Sequence, residues 1–333
     1  MIKRIQLLNR GQRAVIFFLI FGGVMMGLIA LTILLYSLTL NSGSRTNAVS
    51  ALEGITVSEF VQLPDDDAYP AAVTVAPDGM IYTASYHSGV VWQVSPAGDV
   101  IELPDTREKI GSVTGLTTDA AGTLYILDRL DPNPNAAGGV IWKWTAEDGL
   151  AAWGGESAEF IAPNDIAVDD AGNVYVTDFG KREVWQVQPD GGASLWWMPP
   201  DADISVVRPT GLDYHAGMLY VTDSALDTIY RFPVDNPAQT EQLYRHHFPG
   251  ETPGYDGIVV ADDGVIYIAT LESGVMRISE GNIQVIARNF RGSSDLDLYG
   301  NLIYVTNFDS RSLYDVFLDP QLPFALDVID LGN

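Results

Sequence analysis

The sequence predicts an all-β fold, a six-bladed β-propeller preceded by one transmembrane α-helix. Three observations carry this. A turn followed by an aromatic strand recurs six times, as PDGMIYTAS, DAAGTLYILD, DDAGNVYVTD, YHAGMLYVTD, DDGVIYIAT and YGNLIYVTN. No amphipathic helical stretch separates the copies, which argues against a parallel α/β barrel. A run of 27 residues without formal charge, Ala14 to Leu40, precedes the first copy.

The repeat is clearest in APNDIAVDDAGNVYVTDFGKREVWQV, Ala162 to Val187. Its runs of β-branched and aromatic residues, broken by Asp, Gly and Asn clusters, read as consecutive antiparallel strands. The central tyrosines of the six copies are Tyr82, Tyr125, Tyr175, Tyr220, Tyr267 and Tyr304, spaced by 43, 50, 45, 47 and 37 residues. Four of them have an aromatic residue ten positions on: Trp92, Trp185, Tyr230 and Tyr314. Copy two reaches Trp142 late, after the insertion LDPNPNAAGG, and copy five has Met276 near that place. Units of this length with about four short strands each are the signature of a propeller, and regular spacing disfavours a two-domain β-sandwich.

Ala14–Leu40 is long enough, at about 1.5 Å per residue, to span a hydrocarbon core of about 30 Å with some tilt. Lys3, Arg4, Arg10 and Arg13 precede it and only Arg45 follows closely. The positive-inside rule then places residues 1–13 in the cytoplasm, 14–40 in the cell membrane and the remainder on the far side. Ala48-Val49-Ser50 is a passable cleavage site, but the apolar run is longer than a signal peptide needs. Gly23 and Gly27 form a GxxxG pair that would let this helix approach another in the bilayer or a membrane-protein partner. Residues 41–54 read as a polar linker and 55–333 as the propeller.

Residues 1–45 hold five basic residues and no acidic one, so the rest of the chain sets 13 basic against 43 acidic residues. Such a field repels a phosphate backbone or an anionic membrane surface, so nucleic-acid binding is not expected. The chain has no cysteine and only four histidines, His87, His215, His246 and His247. Disulfides, Cys-ligated zinc and thiol catalysis are thereby excluded. No nucleophile elbow, Walker loop or dinucleotide fingerprint is present.

Closure of the ring is also legible. Val57–Leu63 resembles Asp99–Leu103 in pattern and is expected to form the outer strand of the last blade, removing an open sheet edge. The tail Ala325–Asp330 is the competing candidate for that place.

PNDIAVDDAGNVYVTD and YDGIVVADDGVIYIATLESGVMRI resemble blades of the SMP-30/gluconolactonase/LRE-like family, and the looser DxxGN-Y-V-T-D pattern resembles NHL-type repeats. The resemblance covers about residues 55–333 and implies a six-bladed propeller. In lactonases of this family it further implies a divalent metal, commonly calcium, in the central channel. Its ligands are a Glu of the first blade, an Asn of the fourth and an Asp of the fifth, with an Asn of the third nearby. The corresponding positions, counted back from each turn glycine, are Ala71, Thr114, Asn164, Thr210, Asp256 and Ser294. Asn164 and Asp256 keep the family's residue types and are the candidate ligands for Ca²⁺ or another divalent cation. Ala71 and Thr210 replace the expected Glu and Asn. Thr114, Asp165, Thr210, Ser294 and Asp295 are further channel-lining candidates, the two aspartates because they adjoin the ring.

The remaining motifs have simpler readings. Asp169–Asn173 and Ala261–Gly264 lack the spaced acids of a calcium loop and read as hairpin turns. Adjacent side chains such as His246 and His247 rarely converge on one ion. Trp196-Trp197 reads as blade packing. Together these features favour a membrane-anchored, extracytoplasmic module that binds a small ligand or protein. The alternative is a metal-dependent lactonase acting in the channel.

Overall fold

The computed structural model describes residues 10–40, 46–200, 206–247, 253–271, 273–315 and 317–332. The chain divides into two units, residues 1–45 with 311–320, and residues 46–310 with 321–333. In the first unit Arg10–Leu40 forms one continuous helix. Its stretch Arg10–Tyr36 is long and apolar enough to cross a membrane, and none of its residues is fully buried. At about 1.5 Å per residue the helix measures about 46 Å. Residues 1–9 of the expected cytoplasmic segment and 41–45 of the expected linker lie outside the described residues.

The second unit is a six-bladed propeller. Blade one is Pro70–Val75, Ile81–Ser85, Val91–Val94 and Val100–Glu102. Blade two is Val113–Thr118, Leu124–Asp128, Val140–Thr145 and Gly149–Gly154. Blade three is Pro163–Val168, Val174–Asp178, Glu183–Val187 and Ala193–Trp197. Blade four is Pro209–His215, Met218–Asp223, Thr228–Pro233 and Glu241–Arg245. Blade five is Tyr255–Val260, Ile266–Thr270, Gly274–Ser279 and Asn282–Arg288. Blade six is Leu296–Tyr299, Leu302–Thr306, Ala325–Asp330 and Thr56–Gln62. Each blade is an antiparallel meander, so its first and third strands run from one face of the disc, here the mouth face, and its tight turns lie on the other, the hairpin face.

The expected ring closure is present, with Thr56↔Asp330 through Gln62↔Ala325 in register. Ala325–Asp330 is the third strand of that blade, so the tail and the amino-terminal strand occupy neighbouring places. Two sequence expectations change. Tyr314 is not a third-strand aromatic: it ends a short helix, Ser310–Tyr314, and the strand pairing with Tyr304 comes later, at Val328. The linker is also shorter than expected, because Val49–Ser50 pairs with Ala287 and Arg288 and adds a fifth strand to blade five.

The repeat motif has a physical explanation at each position. The aspartate that opens a turn binds the backbone of that turn: Asp169 Oδ1 accepts from the N–H groups of Ala171 and Asn173, both at 2.9 Å. Gly172 takes the left-handed conformation there, at φ 81°, where a side chain would be strained. The tyrosine is buried in all six copies. Tyr175 donates its hydroxyl to Asp169 and accepts from Gln186. The final aspartate of the motif fastens the connection entering its own blade and the turn after it: Asp178 accepts from the N–H groups of Ile161, Ala162 and Lys181. Turn and strand acids are thus consumed by the fold, as the hairpin reading requires.

Apolar packing runs between blades. Leu127, Ile141 and Phe160 meet Val174 and Val176 at the seam of blades two and three. Tyr175 and Val184 meet Leu219 and Phe232 at the next. Trp197 is buried there, stacked on Phe232 at 4.9 Å, and Trp196 tilts against Tyr175 at 6.1 Å. The tryptophan pair is therefore blade packing.

Candidate functional site in the central channel

Inner strands present alternate residues to the axis, because successive side chains of a strand point to opposite sides. At the mouth, Ala71, Thr114, Asn164, Asp165, Asp256, Ser294 and Asp295 line one cavity together with Tyr86, Gly257 and Phe308. The cavity holds about 50 Å³. That is room for a few waters or a partly hydrated ion, and far below the several hundred Å³ of a typical organic-ligand pocket.

Thr210 departs from expectation. It does not line the cavity; its hydroxyl is buried, donates to the Tyr255 carbonyl at 2.9 Å and lies 3.2 Å from the Thr222 hydroxyl. This bond is one of a set that recurs around the ring. Ser294 donates to the Ala71 carbonyl at 2.9 Å, and Thr114 to the Pro163 carbonyl at 3.3 Å. A second-strand threonine completes the set. Thr177 accepts from the Asp165 N–H and donates to the Thr210 carbonyl, while Thr222 accepts from the Gly211 N–H and donates to the Asp256 carbonyl.

Asp165 and Asp295 do turn inward, and each ties its blade to the next. Asp165 accepts from its own strand at Ile166 and from Leu212 of blade four, both at 2.8 Å. Asp295 accepts from Leu296 and from Val73 of blade one, also at 2.8 Å. Two further aspartates repeat this deeper in the channel. Asp213 accepts from Val260, and Asp297 from Val75, Leu298 and Thr74. Sequence reasoning missed both, although Asp297 stands two residues after Asp295 and Asp213 two after Gly211, the spacing that keeps a strand residue on one side.

Asp256 is different. Among the described residues its carboxylate accepts no hydrogen bond. Burial, then the charge of Asp165, pushes its pKa up to about 8. Burial also raises Asp165 and Asp213 to about 7 and Asp297 to about 6, against the pull of their backbone hydrogen bonds. Asp295 is raised in the same way, with Asp165 adding to the effect. Five carboxylates thus share the channel, and among the described residues none of them is in an ion pair with a basic side chain. The arrangement favours bound protons or a bound cation.

The donor set fits a hydrated divalent cation in part. Asp256 supplies a carboxylate and Asn164 an amide oxygen, neither of which is committed to another side chain. Asp165 and Asp295 have each spent both oxygens on backbone N–H groups. No group of three or more acidic or histidine side chains converges on one point among the described residues. A calcium ion seeks six to eight oxygens, so water would have to complete the shell.

The profile described as SMP-30/Gluconolactonase/LRE-like region matches residues 149–288, from the outer strand of blade two through blade five. The chain resembles the SMP-30/gluconolactonase/LRE-like family. A gluconolactonase from Xanthomonas campestris superposes with a TM-score of 0.59 at 17% identity, over 87% of this chain and 96% of that one. Virginiamycin B lyase from Staphylococcus aureus gives 0.55 at 13% identity, over 83% and 99%. A chain of the nidogen/laminin complex gives 0.56 at 14% identity, over 76% and 98%. At these identities the likeness is one of fold. No curated protein matches the sequence. Against the family's ligand pattern the chain keeps Asn164 and Asp256, has no oxygen-bearing side chain at Ala71, and ties up the Thr210 hydroxyl.

Remaining sequence candidates fall outside the cavity. His87 is exposed and packs beside Tyr69 at 5.8 Å. His246 lies against Tyr255, with Nδ1 3.4 Å from the phenol oxygen. Tyr86 and Phe308, at 5.2 Å, form an aromatic wall that the sequence did not single out. Both follow the second strand of their blade, where the chain returns to the mouth face.

Proposed function

We propose that the protein is a membrane-anchored binding module whose propeller is held outside the cytoplasm by residues 14–40, and that its partners are ligands or proteins engaged by the loops. The observation that carries this is the commitment of the channel acids. Asp165, Asp213, Asp295 and Asp297 accept backbone N–H groups of the adjoining blades, so they serve the ring before any substrate. Propellers of similar fold occur in a lyase, in a gluconolactonase and in the nidogen/laminin complex, so the architecture accommodates binding as well as catalysis.

One observation favours a second reading, a metal-dependent hydrolase. The Asp256 carboxylate is half-buried, accepts no hydrogen bond among the described residues and stands in the same cavity as Asn164. A divalent ion held by these two would polarise a carbonyl or acidify a water. The chain's own residues would then orient the ion through Asp256 and Asn164, and Tyr86 and Phe308 would limit access.

The deciding experiment uses the purified full chain in detergent. Its melting temperature is measured with Ca²⁺, Mg²⁺, Zn²⁺ or chelator, alongside hydrolysis of simple lactones. A ligand of the folded state alone must raise the midpoint. Metal-dependent turnover lost in Asp256→Ala would replace the binding reading with the hydrolase. Absence of turnover with every metal supports the binding reading.

A further inference from the structure

The two ends of the channel differ in room. The mouth cavity holds about 50 Å³, whereas an open crater on the hairpin face holds about 590 Å³. The larger volume is in the range of organic-ligand sites. The crater is lined by Val75, Thr118 and Val168, which end the inner strands of blades one to three, and by the turns that follow them. Two tyrosines complete it, and neither belongs to the repeat. Tyr214 of blade four stands where the other blades carry Val75, Thr118, Val168, Val260 and Leu298. Tyr299 of blade six stands where blades two and three carry the turn acids Asp119 and Asp169.

Blade four adjoins blade three, and blade six adjoins blade one, so the tyrosines stand at the two ends of the arc of turns. Tyr214 donates its hydroxyl across the seam to Asp170 Oδ2 at 2.8 Å. A Cβ on Gly79 would lie 3.4 Å from the ring and hydroxyl of Tyr299, so that ring lies over the turn of blade one. The six repeat tyrosines are buried, but Tyr214 is half-buried and Tyr299 is 45% exposed. Charge in the crater has one sign. Asp119, Asp169 and Asp170 line it, and none of the described residues lining it is Lys, Arg or His. No tight turn on the hairpin face contains Lys or Arg. Asp119 and Asp169 spend both oxygens on their own turns and tyrosines, so they contribute field rather than contacts. Asp170 is exposed, and its Oδ1 accepts no hydrogen bond among the described residues.

We propose that this crater binds a small organic cation, an alkyl- or methylammonium compound whose charged group meets Asp170 and Tyr214 and whose body extends toward Tyr299. A cation gains from the carboxylate field and from the electron-rich ring faces together. An anion is repelled there, and a neutral sugar gains nothing from the uncompensated charge. Aromatic rings left open in a concave site supply contact area at the apolar part of the ligand. The site is independent of the membrane span and of any chemistry in the mouth cavity, because its residues come from the hairpin ends of five blades.

The test uses the full chain in nonionic detergent, titrated with choline, with butylammonium and with the uncharged alcohol in which carbon replaces the nitrogen of choline. Saturation transfer to ligand protons, measured against protein-free micelles, gives the affinities. Both cations are expected to bind at least about tenfold more tightly than the alcohol. Asp170→Asn and Tyr299→Ala should each weaken choline by roughly three- to fivefold, and Tyr299→Phe, which keeps the ring, should retain it. Equal affinity for choline and the alcohol overturns the recognition of charge, and no saturation by either cation overturns the site. Binding lost in Asp256→Asn but kept in Asp170→Asn and Tyr299→Ala also overturns it, since the cation then sits at the mouth. Unchanged melting temperatures verify that the variants are folded.

Discussion

Asp165 Oδ2 accepts a hydrogen bond of 2.8 Å from the backbone N–H of Leu212, and this joins the inner strand of blade three to that of blade four. The same contact is made by Asp213 to Val260 and by Asp295 to Val73. A propeller closes without covalent joints, so polar bonds between inner strands fix the angle at which each blade meets the next. Buried backbone donors require such partners.

Asp165→Ala leaves the Leu212 and Ile166 N–H groups without their acceptor, and the expected loss is about 2–4 kcal/mol, a cost typical of orphaned buried donors. Asp165→Asn keeps an acceptor oxygen and should lose much less. Chemical denaturation of the two variants, compared by midpoint at constant slope, measures the difference.

Stability should rise as pH falls from about 8 toward about 4. The folded-state pKa values of Asp165, Asp213, Asp256 and Asp297 lie at about 7, 7, 8 and 6, above the unfolded value of about 3.9. The folded state therefore binds more protons than the unfolded state. The resulting stabilisation is fully present below about pH 4 and is lost as pH rises through about 6 to 8. Melting temperatures across this range should fall steadily with pH, and Asp256→Asn should flatten the upper part of the curve.

Asp256 also predicts a response to cations. If it holds one, Ca²⁺ should raise the melting temperature at pH 8 more than at pH 5.5, because protons compete for the carboxylate. Asp256→Asn should abolish that rise. In the absence of added metal, the same variant should match or exceed the parent at pH 8, since it removes a buried charge without a hydrogen-bond partner.

Gly257→Ala should be strongly destabilising. A Cβ there would lie 2.5 Å from Asp295 Oδ1 and 2.7 Å from Asp295 Cα, and overpacking of this kind costs roughly 1–3 kcal/mol or more. Gly217→Ala, in a hairpin turn where a Cβ meets nothing within 4 Å, strains only the backbone at φ 81°. Thermal melts of the two variants separate the steric cost from the conformational one.

The sequence by itself determined the number of blades, their turns and the closing strand. Each of these depends on local periodicity or on a motif contained in one repeat: Asp169 and Gly172 shape their own turn, and Tyr175 marks its own strand. It also put Asn164 and Asp256 on one ring, because homologous positions of a closed ring converge, and left Asp165 and Asp295 beside that ring with no direction assigned. Only the tertiary structure decided what those side chains do. The partners of Asp165 and Asp295 are backbone groups 47 and 222 residues away, and the Thr210 hydroxyl is bound by a carbonyl 45 residues on. Asp256 stands apart for the same reason, since a missing partner is visible only when the neighbouring blades are in place. Tyr314 shows the converse: a spacing shared by four repeats failed where a long connection displaced the third strand, and nothing local to the residue signals that. Pairing between blades is set by the geometry of the ring, and no single repeat contains it.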